Sequence, residues 1–153
     1  KFGEDEERWA MVGLLHDFDF EMHPNPEEHP VKGAEILRER GVPEDIVCAV
    51  LCHADYLGLD RKTPMDRAIY AVDELTGFIT AVALVRPSKS INEVDVASVR
   101  KKMKDKGFAR AVNREDFTKG ADQLGVDLEE HIAFVIDSLK PVASDLGIAG
   151  SAV

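Results

Sequence analysis

Residues 63–85 read TPMDRAIYAVDELTGFITAVALV. Thr63 and Pro64 supply an N-cap and a first-turn residue, and Ile69, Val72, Thr76 and Ile79 recur at helical spacing. The stretch predicts one long helix from Met65 to about Val85. Its longest uncharged run, Leu75 to Val85, has 11 residues, whereas a spanning helix needs about 20, so the segment reads as a core helix and no membrane partner is expected. Asp73 stands on or beside its apolar face. An unpaired carboxylate there is costly, which calls for a cation: Arg67, Lys62 or a metal ion.

Helical patterning continues on both sides. Upstream, Glu4 to Phe18 carries Trp9, Val12 and Leu15 near one face and ends at His16-Asp17. A proline-broken loop, FDFEMHPNPEE, follows. His29-Pro30 opens a helix with Val31, Ala34, Ile36 and Leu37, closed by Gly41. Pro43 starts another, with Ile46, Val47, Val50 and Leu51, ending near His53. Downstream, Glu93 to Lys106 reads as a basic amphipathic helix, followed by helices near Arg114 to Leu124 and Leu128 to about Leu146. GIAGSAV, 147–153, reads as a frayed tail. No run alternates with period two. The expectation is an all-α protein, a single-domain helical bundle over residues 1–146 with a C-terminal tail.

Composition narrows the function. A length of 153 residues suits about one domain. The formal net charge of -10 repels phosphate backbones, so a nucleic-acid polymer is not the expected partner. The N-terminus, KFGEDEERW, lacks the apolar stretch of a signal peptide. Cys48 and Cys52, four apart in an apolar helix, read as buried reduced thiols and point to the cytoplasm.

The residues that can carry chemistry form an ordered set: His16-Asp17, His29, His53 and Asp73, separated by 13, 24 and 20 residues. Imidazole and carboxylate suit Fe, Mn, Zn and similar divalent ions. His and Asp adjacent at a helix end can both turn toward one ion, and Asp17 has two oxygens with which to bridge two. Taken singly, each residue is better explained as a core or capping group, or, for Asp73, as a partner of Arg67 or Lys62. The residues alone leave both readings open.

VGLLHDFDFE, HPVKGAEIL, VLCHADY and YAVDELTGFITA together resemble the HD superfamily of metal-dependent phosphohydrolases, over roughly residues 9–85. The later stretch RPSKSINEVDVASVRKKMKDKGFARAVNRED is similar to a small subgroup of predicted HD hydrolases and extends the likeness to about residue 125. The resemblance implies an HD-type helical domain. It implies that His16 and Asp17 ligate metal, that Asp73 is the closing ligand, and that His29 and His53 are the extra histidines of members holding two ions, bridged by Asp17. The cofactors it implies are two divalent ions per chain, drawn from Fe, Mn, Zn, Co or Mg. The family carries a further histidine on an upstream helix. None of the 15 residues before His16 is His, and the chain opens on Lys rather than Met, so that segment is expected ahead of this sequence. If the chain really begins here, one metal site lacks a ligand.

The activity implied is hydrolysis of a small phosphate ester or nucleotide by metal-activated water, with Asp17 and Lys32 in catalytic roles. Lys32 follows His29 by three residues, one helical turn, and is expected on a substrate phosphate. Arg86 and Lys89, with Ser88 and Ser90, form a further anion-binding candidate, and Lys101, Lys102 and Lys104 add charge nearby in sequence. The alternatives are a di-iron HD-type oxygenase, which the same histidines allow, and a noncatalytic helical binding module. A Gly-Tyr-Pro element is absent from HADYLGLDRKTP, which argues against cyclic-dinucleotide hydrolysis.

Overall fold

The computed structural model describes residues 2–150. Seven α-helices and three short 3-10 turns make up the regular structure among them: α1 (Glu6–Leu15), α2 (Val31–Glu39), α3 (Glu44–Cys52), α4 (Pro64–Leu84), α5 (Val96–Lys104), α6 (Glu115–Leu124) and α7 (Leu128–Leu139). The all-α expectation holds. No helix among the described residues is long and apolar enough to cross a membrane. The chain divides into two compact units, Lys1–Tyr70 and Ala71–Val153, and α4 runs from the first into the second.

In the first unit, α1 starts where the Asp5 side chain accepts from the N–H groups of Glu7 and Arg8, with Glu6 and Glu7 complementing the helix dipole. Pro43 stands at the N-cap of α3. The Arg8 guanidinium pairs with Asp45 in the first turn of α3. Val12, Ala34, Leu37, Ile46, Val47, Val50 and Ile69 form the core that these helices share. Thr63 and Asp66 close a reciprocal cap on α4: the Thr63 hydroxyl accepts from the N–H of Asp66, and the Asp66 carboxylate accepts from the N–H of Thr63.

In the second unit, Leu75, Phe78, Ile79 and Val82 of α4 meet Val99, Phe117, Ile132 and Ile136. Gly120 of α6 lies against Ala71, and a Cβ on it would fall 2.8 Å from the Ala71 Cα. That neighbour is backbone and cannot swing aside. Gly120→Ala is therefore expected to destabilise by about 1–3 kcal/mol. Gly77→Ala, where nothing lies within 4 Å, is expected to stabilise by up to about 1 kcal/mol through helix propensity. Thermal melts of the two variants check the opposite signs.

Three expectations need correction. Residues 147–150 are not frayed: Ile148 is fully buried, its carbonyl accepts from the N–H of Ile91, and Ser90 and Ala149 form an antiparallel bridge. Residues 151–153 lie outside the described residues. Cys48 is exposed, on the Glu44 side of α3, because Ile46, Val47, Ala49 and Val50 occupy the inner face. Both cysteines are free, and burial pushes the Cys52 thiol up to about 11. The last long helix stops at Leu139, where Lys140–Val142 tighten into a 3-10 turn with Pro141 near its start.

Candidate metal centre

His16 and His53 are placed by the same local device. Each is the C-cap of its helix, α1 and α3, where the last carbonyls have no intrahelical partner. The His16 Nδ1 lies 2.8 Å from the carbonyl of Gly13, and the His53 Nδ1 lies 2.5 Å from that of Val50. A carbonyl only accepts, so the proton sits on Nδ1 in both rings and Nε2 points away from the helix. His29 is held differently. Its Nδ1 lies 2.8 Å from Oδ1 of Asp19, and its backbone carbonyl accepts from the Tyr56 hydroxyl at 2.7 Å.

The three rings turn their Nε2 edges toward Asp17. The Nε2 atoms of His29 and His53 are 3.2 Å apart, and Oδ1 of Asp17 lies 3.2 Å from the first and 3.4 Å from the second. Oδ2 of Asp17 lies 3.3 Å from Nε2 of His16. In their protonated forms, hydrogen bonds from Nε2–H of His16 first, then of His53, hold the Asp17 carboxyl well below the usual carboxylate range. With every Nδ1 proton engaged elsewhere, lone pairs of two nitrogens and a carboxylate oxygen face one another at 3.2–3.4 Å. Such a triangle requires positive charge at its centre, either protons on the imidazoles or a metal ion. Neutral imidazole Nε2 and carboxylate oxygen are the donor set that fits a divalent transition ion. The Asp17 side chain is 53% exposed, so the centre is open to solvent.

The segment between the histidines is stiffened by Arg61. Its guanidinium donates to the carbonyl of Cys52 and to Asp55, and stacks 3.5 Å above the Tyr70 ring. This anchors the chain on both sides of His53. Asp55 is thereby paired with Arg61, while Tyr56 braces His29.

Four of the five expected ligands, His16, Asp17, His29 and His53, thus converge within the first unit. Asp73 lies partly buried on α4, in the second unit. Lys32 does not share a helix face with His29, because α2 begins only at Val31 with Pro30 as its N-cap. Lys32 is exposed, and its Nζ pairs with Glu35 at 2.8 Å. Arg86 and Lys89 lie in the turn after α4. The Arg86 Nε and the Ser88 Oγ are buried without a hydrogen-bond partner, and Lys89 is exposed with φ 50°. His131, expected to be structural, is buried and its Nε2 donates to the carbonyl of Ala71 at 2.9 Å.

Sequence reasoning missed Asp19. It is fully buried, with Oδ1 on His29 and Oδ2 accepting from the N–H of Gly33 at 3.0 Å. In FDFE it reads as one more acidic loop residue, and no local pattern marks it as buried. The family model of the HD domain matches residues 1–141. No curated protein and no solved structure matches the chain.

Proposed function

The chain belongs to the HD-domain family, and from that premise we propose that it is a metal-dependent phosphohydrolase acting on a small phosphate ester or nucleotide, with two divalent ions per chain. The observation that carries this reading is the orientation of Asp17. One oxygen faces the Nε2 atoms of His29 and His53, and the other faces the Nε2 of His16. A carboxylate placed between two sets of imidazole nitrogens is built to bridge. His29, His53 and Asp17 would hold one ion. His16 and Asp17 would contribute to the second.

When bound, the ions supply Lewis acidity, lowering the pKa of water and neutralising phosphoryl oxygens. The chain's own residues do the rest. Asp17 stays ionised and keeps both oxygens available. Gly13, Val50 and Asp19 hold the three Nδ1 protons, so each ring presents its Nε2 lone pair inward. Lys32 is proposed to leave its surface pair with Glu35 for a substrate phosphate, since an exposed ion pair is weak in water. Arg86 and Lys89 are proposed as anion contacts, Arg86 having a buried Nε still to satisfy. A net charge of -10 argues against a nucleic-acid polymer as substrate, and two free cysteines suit a reducing compartment such as the cytoplasm.

Elemental analysis of protein purified without added metal tests the reading. About two ions per chain are expected, together with proton release when the metal-free protein is reloaded. Phosphate release dependent on Mn, Co or Mg supports the hydrolase. Oxygen consumption with a mixed-valent iron signal would move the assignment to the di-iron oxygenase. Absence of any retained or reloadable metal would leave a helical binding module.

A further inference from the structure

We propose that Asp19 is a positioning residue that sets the tautomer of His29, and that Gly33 is the cradle that lets it do so. The proposal rests on the metal-centre reading above for its purpose, and on hydrogen-bond chemistry for its content. Asp19 lies two residues beyond Asp17, in the turn that follows α1, and is 0% exposed. A carboxylate with no access to water needs its acceptor capacity filled. Oδ1 takes the His29 Nδ1 proton, and Oδ2 takes the N–H of Gly33, the third residue of α2. The first-turn N–H groups of a helix lack intrahelical partners, and Asp19 Oδ2 fills that role for the N–H of Gly33.

The close approach depends on glycine. A Cβ at position 33 would lie 2.5–2.8 Å from the three carboxylate atoms of Asp19. His29 is itself 5% exposed, so bulk water cannot readily substitute for the carboxylate. His16 and His53 use helix-end carbonyls to hold Nδ1. His29 lies outside a helix end, since Pro30 is the N-cap of α2, and has no such carbonyl. Asp19 supplies the missing acceptor and keeps the proton off the nitrogen that faces His53 and Asp17.

The test is Asp19→Asn, which removes one acceptor and adds a donor at nearly constant volume. If the amide oxygen stays on the N–H of Gly33, the amide nitrogen meets Nδ1 of His29. That nitrogen must then accept, and the proton moves to Nε2, where it blocks coordination. The alternative placement sets two donors against each other at Gly33. Nitrogen-15 spectra of histidine-labelled, metal-free protein at pH 8 report the tautomer directly. Wild type is expected to show His29 protonated at Nδ1, and the variant to show it at Nε2. Metal affinity in the variant is expected to fall about 10–100-fold, with the metal-free melting temperature within a few degrees of wild type.

A wild-type His29 protonated at Nε2 would overturn the proposal without any variant, so it remains falsifiable even if the variant fails to fold. An unchanged tautomer and unchanged metal affinity in a folded Asp19→Asn would overturn it equally. If wild type binds no metal at all, the metal-centre reading fails, and the two tautomers still decide the role of Asp19.

Discussion

Asp17→Ala is expected to lose retained metal altogether and to lower phosphate release by more than about 10²–10³-fold, the loss seen when a single charge-stabilising group is removed. The reason is its place between the rings. Both of its oxygens lie within 3.4 Å of imidazole nitrogens from three separate segments. Removing it takes away the carboxylate toward which the Nε2 atoms of all three rings turn. The carboxyl titrates below its usual range, so the fold favours its ionised form. Its contribution to the stability of metal-free protein is therefore full above about pH 4, the ordinary carboxylate value, and is lost as acid protonates it. The difference in melting temperature between wild type and variant should shrink toward zero as the pH falls.

His131→Ala is the control. Its imidazole satisfies the Ala71 carbonyl inside the second unit, and the variant should keep metal and activity when assayed below its melting temperature. Equal loss of metal in the two variants would show that the centre lies elsewhere.

What could be read from the chain, and what could not, follows the range of the interactions involved. The seven helices carry their signals locally: apolar residues at helical spacing, Asp5 and Thr63 at N-caps, and Pro64 in a first turn. His16 and His53 were legible for the same reason, since both close helices whose patterns stop there. A face shared by Lys32 and His29 was not legible, because His29 precedes α2, which begins only at Val31. Asp19 and Ile148 were missed because what buries them is distant in sequence. Asp19 is enclosed by Gly33 and His29, and Ile148 is secured by the N–H of Ile91. Neither residue has a local period that distinguishes a buried group from a loop or a tail.

Phe78→Ala carries the largest stability effect expected for the second unit. Phe78 is fully buried at the centre of its core, with the rings of Phe108 and Phe117 at 5.3 and 5.2 Å. The Arg114 guanidinium lies 5.2 Å from its ring. That guanidinium also donates to the carbonyls of Phe108, Ala109 and Val112, and so gathers the irregular segment between α5 and α6 over the ring. Truncation removes the surface against which this segment folds. Phe117 cannot fill the space without abandoning its own contacts, because interiors are close-packed. The cost should reach about 3–5 kcal/mol. For a chain of this size each kcal/mol moves the midpoint by about 2–4 °C, so the melting temperature should drop by roughly 6–20 °C. Leu14→Ala, at a side chain 81% exposed, should stay within about 0.5 kcal/mol of wild type. A Phe78→Ala midpoint within about 2 °C of wild type would mean that α4 does not organise this core.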